Sequence, residues 1–147
     1  YNPNAARDEW SGDYGCNVQY FSQQAVGRLL KPAAIEVDST LGLPEKLKHV
    51  QKLMDQGDAR ARRIYETIGV YLGYAVAHFR DFYELENLLI LGRVTSGPGG
   101  DVIIAQAKHV LSVESPELAD QIAFHIPSEK DKRHGQAVAA ASLPVIK

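Results

Sequence analysis

The chain has 147 residues, of which 45% are hydrophobic and 23% are charged, the composition of an ordinary soluble globular domain. A formal net charge of −2 argues against a broad nucleic-acid-binding face, and the single cysteine, Cys16, excludes an internal disulfide. Because the sequence contains no apolar run long enough to cross a bilayer and no signal segment, we expect a cytoplasmic protein without membrane or nucleic-acid partners.

The amino-terminal residues 1–15 are polar and turn-rich, which predicts an irregular loop. This opening, from Tyr1 onward, favours neither a helix nor a strand, so we expect a fragment of a longer protein. Apolar residues first recur at helical spacing from Val18 and predict a helix over about 17–30. We expect residues 16–147 to form helices and two strands, within a single domain that spans 1–147.

Two further helices are predicted in the middle of the chain. The first begins at Pro44 and ends at Gly57. The second is the longest; Asp58 caps it, and its apolar residues recur on one face as far as Phe82. Small residues repeat at every fourth position of this helix: Gly69, Gly73 and Ala77. They predict that a neighbouring helix or strand packs very closely there.

A glycine-rich segment follows the apolar run at 88–91, which predicts a strand. The segment covers 92–100 and leads into a helix predicted over 101–111. Such a loop can bring backbone amides close to a phosphate or a nucleoside, although many glycine-rich turns only connect a strand to a helix tightly. A second strand is predicted over 121–126, and an alanine-rich helix over about 132–143.

Two strands separated by a helix predict parallel pairing and therefore an α/β fold. Two strands are few for a parallel sheet, which is normally covered on both faces. We expect the missing strands to come from a longer parent chain or from another molecule. An open sheet edge, or the alanine-rich face of the last helix, also favours self-association, so we expect a homo-oligomer.

Several short motifs stand in a fixed order along the chain: Gly15-Cys16, Ile68-Gly69, Leu72-Gly73, Leu89-Ile90-Leu91-Gly92 and Gly135-Gln136-Ala137. In this order the chain resembles the C-terminal half of the ROK family, which contains sugar kinases and repressors. That family belongs to the actin-like ATPase (ribonuclease H-like) fold. The resemblance implies a helix-rich C-terminal lobe of this fold with an incomplete parallel sheet.

The resemblance also bears on a metal and on a sugar. The zinc loop of the family aligns with residues 9–16, where Glu9 and Ser11 stand at the first two cysteine positions. One remaining thiolate, Cys16, cannot hold structural zinc with a serine, so we expect zinc to be absent. Val18 stands where the family has a sugar-binding glutamate, and nearby Glu9 and Gln19 are the candidate substitutes.

In the kinases of this family, the loop after the strand contacts the nucleoside of ATP, which is bound with Mg²⁺. The resemblance carries this role to five residues: Gly92, Arg93, Thr95, Ser96 and Gly97. Arg93 replaces a family glycine. Its guanidinium can stack on a purine, pair with a phosphate, or block the site.

The resemblance implies that the parent binds a sugar and a nucleotide as an ATP-dependent sugar kinase or a close relative. This chain would then supply the nucleoside-binding loop and part of the sugar cleft. Because it offers no phosphate loop, metal-positioning acid or aspartate base, we assign no catalytic residue and expect no catalysis by this chain alone. The alternative is the effector-binding part of a sugar-responsive repressor, or another non-catalytic sugar-binding relative.

Overall fold

The fold, taken from a computed structural model that describes residues 2, 4–128 and 130–131, is α/β and rich in helix. Its elements in chain order are α1 (Val18–Phe21), α2 (Gln23–Leu29), α3 (Leu43–Asp55), α4 (Ala59–Arg80), β1 (Asn87–Leu89), α5 (Pro98–Glu114), α6 (Pro116–Ala119) and β2 (Ala123–His125). The alanine-rich helix predicted over 132–143 lies outside the described residues. None of the helices within the described ranges has both the length and the apolar character needed to cross a membrane.

The prediction of a single helix over 17–30 was wrong, because the structure has two helices, α1 and α2, in that range. Ser22 is extended, with φ −114° and ψ −168°, and it separates α1 from α2. Its hydroxyl donates to the carbonyl of Val18 at 2.6 Å and accepts a hydrogen bond from the amide of Gln24 at 3.2 Å. A serine side chain that caps a new helix in this way competes with continuation of the old one.

The longest helix, α4, packs along α5 and forms the centre of the core. The two helices approach at the small residues of α4, because a Cβ atom built on Gly69 would lie 2.7 Å from the carbonyl oxygen of Ile103. The predicted close packing is therefore confirmed, and the neighbour is a helix. Helix α3 and the α1–α2 pair pack against α4 and bury Val26, Leu47 and Val50.

Strands β1 and β2 pair in parallel, as predicted, with Leu88 opposite Phe124 in the register. Strand β1 ends at Leu89, two residues earlier than expected. Side chains alternate between half-buried and exposed, so Leu88 and Phe124 pack on the core while Leu89 is exposed. Within the part of the chain that the structure describes, one face of this small sheet is thus covered and the other is open.

Helix α4 begins with a charged cap at Asp58. The carboxylate accepts a hydrogen bond from the backbone amide of Arg60 at 2.8 Å and pairs with its guanidinium at 2.7 Å. The side-chain bond from Arg60, followed by the backbone bond, lowers the pKa of Asp58 from 3.8 to about 2. Since the folded-state pKa lies below the unfolded value, the ionised cap stabilises the fold fully above about pH 4.

We expect this contribution to be lost as the pH falls from about 4 toward 2. An Asp58→Asn variant keeps a good helix cap but cannot titrate. The difference in unfolding free energy between the wild type and this variant, from urea titrations, should therefore shrink across that pH window. A difference that stays constant down to about pH 2 would contradict the role assigned to Asp58.

Candidate functional site

The glycine-rich loop between β1 and α5 has a defined conformation. Gly92 (φ 120°) and Gly97 (φ 72°) both have positive φ angles, which L side chains rarely adopt. Between them lies a single 3₁₀ turn, Arg93–Thr95. The hydroxyl and the amide of Thr95 donate to the carbonyl of Gly92 at 2.8 and 3.2 Å. Thr95 is 4% exposed, so this candidate binding residue holds the loop from inside.

Helix α5 begins at Pro98 rather than at residue 101, and it continues to Glu114, beyond the predicted end at 111. Proline suits the first helical turn because its missing N–H would have no helical partner there. Gly99 and Gly100 consequently lie inside the first turn. A Cβ atom at Gly99 would lie 2.4 Å from the Tyr65 ring, and one at Gly100 would lie 2.4 Å from the Thr95 carbonyl oxygen. These two glycines serve close packing.

A cavity of about 210 Å³ lies between α3, α4 and the amino end of α5. Residues 96–99 form one side of it. Helix α3 contributes Gln51, Met54 and Asp55, and α4 contributes Tyr65. The cavity therefore brings Ser96 and Gly97, two of the predicted loop residues, together with side chains that lie over 30 residues earlier in the chain.

Tyr65 is 0% exposed, and its hydroxyl has no hydrogen-bond partner among the described residues. Burial, followed by the negative charge of Asp55, raises the pKa of Tyr65 to about 12. The hydroxyl is therefore protonated at neutral pH and is available as a donor. Leaving such a group buried and unbonded costs about 1–3 kcal/mol.

Gln51 connects α3 to the loop. Its side-chain amide donates to the carbonyl of Arg93 at 2.9 Å and makes a longer bond, 3.5 Å, to the carbonyl of Ser96. A second cavity, of about 420 Å³, also includes Gln51 and Ser96 in its lining, together with Arg93, Lys48 and Glu45. Arg93 lines this second cavity and not the first.

The sugar-site candidates lie in the amino-terminal loop. Glu9 is exposed, whereas Gln19 is 5% exposed. The side-chain amide of Gln19 donates to the Asp8 carboxylate at 3.4 Å, and the backbone carbonyl of Gln19 accepts a hydrogen bond from the Arg28 guanidinium at 2.8 Å. Gln19 therefore holds the loop against α2.

Asp8, which sequence reasoning missed, organises this loop. Its carboxylate accepts hydrogen bonds from the Ser11 amide at 2.8 Å, the Ser11 hydroxyl at 3.0 Å and the Trp10 amide at 3.2 Å. The backbone bond from Ser11 is the main cause that lowers the pKa of Asp8. Ser11 Oγ lies 3.7 Å from Cys16 Sγ. Across the described ranges, no three or more His, Cys, Asp or Glu side chains are grouped so as to hold a metal ion.

Comparison with known proteins gives no family model, no curated protein and no solved structure that matches this chain. The geometry of the site is therefore the basis for its interpretation. Tyr65, Asp55 and Gln51 are part of that geometry although no motif contains them. The available signal for Tyr65 was weak, because a tyrosine on the apolar face of a helix is usually an ordinary core residue.

Proposed function

We propose that this chain is the C-terminal lobe of a ROK-type sugar kinase-like protein with an actin-like ATPase fold, in which the loop 92–97 contributes to the nucleoside site. The observation that carries this proposal is the cavity beside Ser96 and Gly97 at the amino end of α5. Its lining includes Tyr65, whose buried hydroxyl has no hydrogen-bond partner among the described residues. Parallel pairing of β1 and β2 around α5 supports the same assignment. Nucleotide-binding α/β proteins commonly use the turn that follows a parallel strand.

The distribution of charge supports a nucleoside in the first cavity. Asp55 contributes a carboxylate to its lining, which disfavours a phosphate in the same space. Arg93 and Lys48 line the second cavity, although Glu45 partly offsets their charge. Because Arg93 does not line the first cavity, the geometry does not support a blocking role for its side chain.

The parent protein would bind ATP with Mg²⁺ and a sugar, and this chain alone would not catalyse phosphoryl transfer. The alternative is a sugar-responsive repressor or a non-catalytic sugar-binding relative, because the amino-terminal loop weakens the assignment as a kinase. There the side-chain amide of Gln19 bonds to Asp8, and Val18 stands in place of the family's glutamate. Neither residue offers a carboxylate to a sugar hydroxyl.

A Gly97→Trp substitution in the full-length protein is expected to weaken ATP binding at least about tenfold, because the indole would occupy the first cavity. Gly57→Trp is a matched control: Gly57 also has a positive φ, 76°, and open space around its Cα atom, but it does not line either cavity. Calorimetric titration with ATP measures the effect. Equal ATP affinity in the wild type and Gly97→Trp would overturn the nucleoside assignment.

We also propose that the open face of the sheet mediates self-association. Leu89 on this face is 59% exposed, and Leu91, two residues beyond the end of β1, is 60% exposed. Sedimentation of the 147-residue chain at micromolar concentration should show a homo-oligomer that a Leu89→Ser/Leu91→Ser variant reduces to monomers. Val113→Ser removes an exposed apolar side chain from α5 and should leave the oligomer intact. A wild-type chain that sediments as a monomer would contradict this expectation.

A further inference from the structure

The ring of Tyr65 is held in place by packing, while its hydroxyl has no hydrogen-bond partner among the residues that the structure describes. The ring packs beneath Gly99, the second residue of α5, where a Cβ atom would lie 2.6 Å from the ring carbon that carries the hydroxyl. This packing leaves the ring no room to move toward α5. Because the hydroxyl makes no hydrogen bond to a described residue, phenylalanine would fill the same space without the cost of burying an unbonded polar group. An acceptor supplied by a ligand in the adjoining cavity would account for the tyrosine.

The other residues that line the cavity indicate which functional groups such a ligand carries. Helix α5 offers few free amides here, because its first residue, Pro98, has no N–H and the amide of Gly100 donates to the carbonyl of Gly97 at 3.2 Å. Asp55 on α3 places a carboxylate in the same lining. A hydroxyl donor from Tyr65 together with the negative charge of Asp55 suits a neutral group that both accepts and donates hydrogen bonds, and this pair disfavours an anion.

The volume of the cavity, about 210 Å³, limits the size of the ligand. Pockets that enclose whole drug-sized ligands measure about 300–1,000 Å³. The space therefore suits one ring system, such as a base or a ribose, and not a complete nucleoside triphosphate.

We propose that Tyr65 and Asp55 make this cavity selective for the uncharged nucleoside part of the ligand and exclude its phosphates. Tyr65 Oη donates to a ring nitrogen or a hydroxyl oxygen of the ligand, while Asp55 accepts a ligand N–H or O–H. This selectivity rests on the proposed nucleoside site and assigns its specificity to two residues outside the glycine loop.

Calorimetric titrations of the full-length protein with adenosine, ATP and inorganic phosphate test the proposal. Tyr65→Phe is expected to lower the affinities for adenosine and for ATP by the same factor, about tenfold, because both ligands contain the nucleoside. Asp55→Ala, a substitution at an exposed position, should also lower the affinity for adenosine. Inorganic phosphate should not compete with adenosine for the wild type.

Tyr71→Phe is the matched control, since Tyr71 is a half-buried tyrosine of α4 that packs edge-to-face on Tyr20 and does not line the cavity. It should leave adenosine affinity unchanged. The melting temperature of ligand-free Tyr65→Phe should equal or exceed that of the wild type, because the lost hydroxyl has no partner. A lower melting temperature would show that the hydroxyl already has a structural partner and would overturn the proposal.

Different results would refute the nucleoside site and the role of Tyr65 within it. If Gly97→Trp abolishes ATP binding while Tyr65→Phe binds adenosine as the wild type does, the nucleoside site stands and the role of Tyr65 is refuted. A Tyr65→Phe effect on ATP without one on adenosine, or competition by phosphate, would refute the exclusion of phosphate. If the wild type binds neither adenosine nor ATP, both the site and its selectivity are refuted.

Discussion

Replacing Gly73 with alanine is expected to destabilise the protein by about 2–3 kcal/mol, although alanine favours a helix over glycine by about 1 kcal/mol. The added Cβ atom would lie 2.6 Å from Val110 Cβ and 2.9 Å from the carbonyl oxygen of Ala107. One of these atoms belongs to the α5 backbone and the other to a rigid branched side chain. The helices would have to separate along their main contact, which would loosen the core on both sides.

Gly27→Ala supplies the matched control for this substitution. Gly27 also lies inside a helix, but its added Cβ atom would meet only the end of the flexible Leu43 side chain, at 2.8 Å. We expect the free energy of unfolding of this variant to lie within about 0.5 kcal/mol of the wild-type value. Urea denaturation followed by circular dichroism measures both variants. Equal stability of Gly73→Ala and Gly27→Ala would show that α4 and α5 do not pack as closely as described.

Gly100→Ala is expected to cost a similar amount, about 2–3 kcal/mol, and in addition to distort the loop. The new Cβ atom would lie 2.4 Å from the carbonyl oxygen of Thr95, which is backbone and cannot rotate away. Thr95 is itself tied to Gly92 by two hydrogen bonds. The strain would therefore pass into the turn that positions Ser96 and Gly97.

Two measurements distinguish this effect from a simple loss of stability. Urea denaturation should show the lower unfolding free energy, and ATP titration under native conditions should show weaker binding than in the wild type. Pro98→Ala, at the exposed first position of α5, should change the unfolding free energy by less than about 1 kcal/mol. A Gly100→Ala variant as stable as the wild type would mean that Thr95 and Gly100 are farther apart than the structure places them.

Local sequence signals predict much of the helical structure. The Gly57 stop and the Asp58 cap are set by residues next to the helix ends, so the boundary between α3 and α4 follows from the sequence. The repeat at Gly69 and Gly73 likewise predicts a close helix contact. Ser22 is different, because a hydroxyl within an apolar pattern can either continue a helix or cap the next one, and only the packing of α1 and α2 decides between them.

The candidate site is harder to predict for a related reason. The loop residues follow from a glycine pattern that is local in sequence, whereas Tyr65 and Asp55 reach the same cavity from two other helices. The pattern also does not show that Thr95 points inward, or that Gly99 and Gly100 are packing residues within α5. Those facts depend on the position of α5 against α4, which no short segment determines.

The way in which the amino-terminal loop is held together determines which solution conditions would disrupt it. Its turn is organised by the carboxylate of Asp8, with Ser11 and Trp10 as donors. Because hydrogen bonds to Asp8 lower its pKa, acid that neutralises this single carboxylate is expected to loosen the loop.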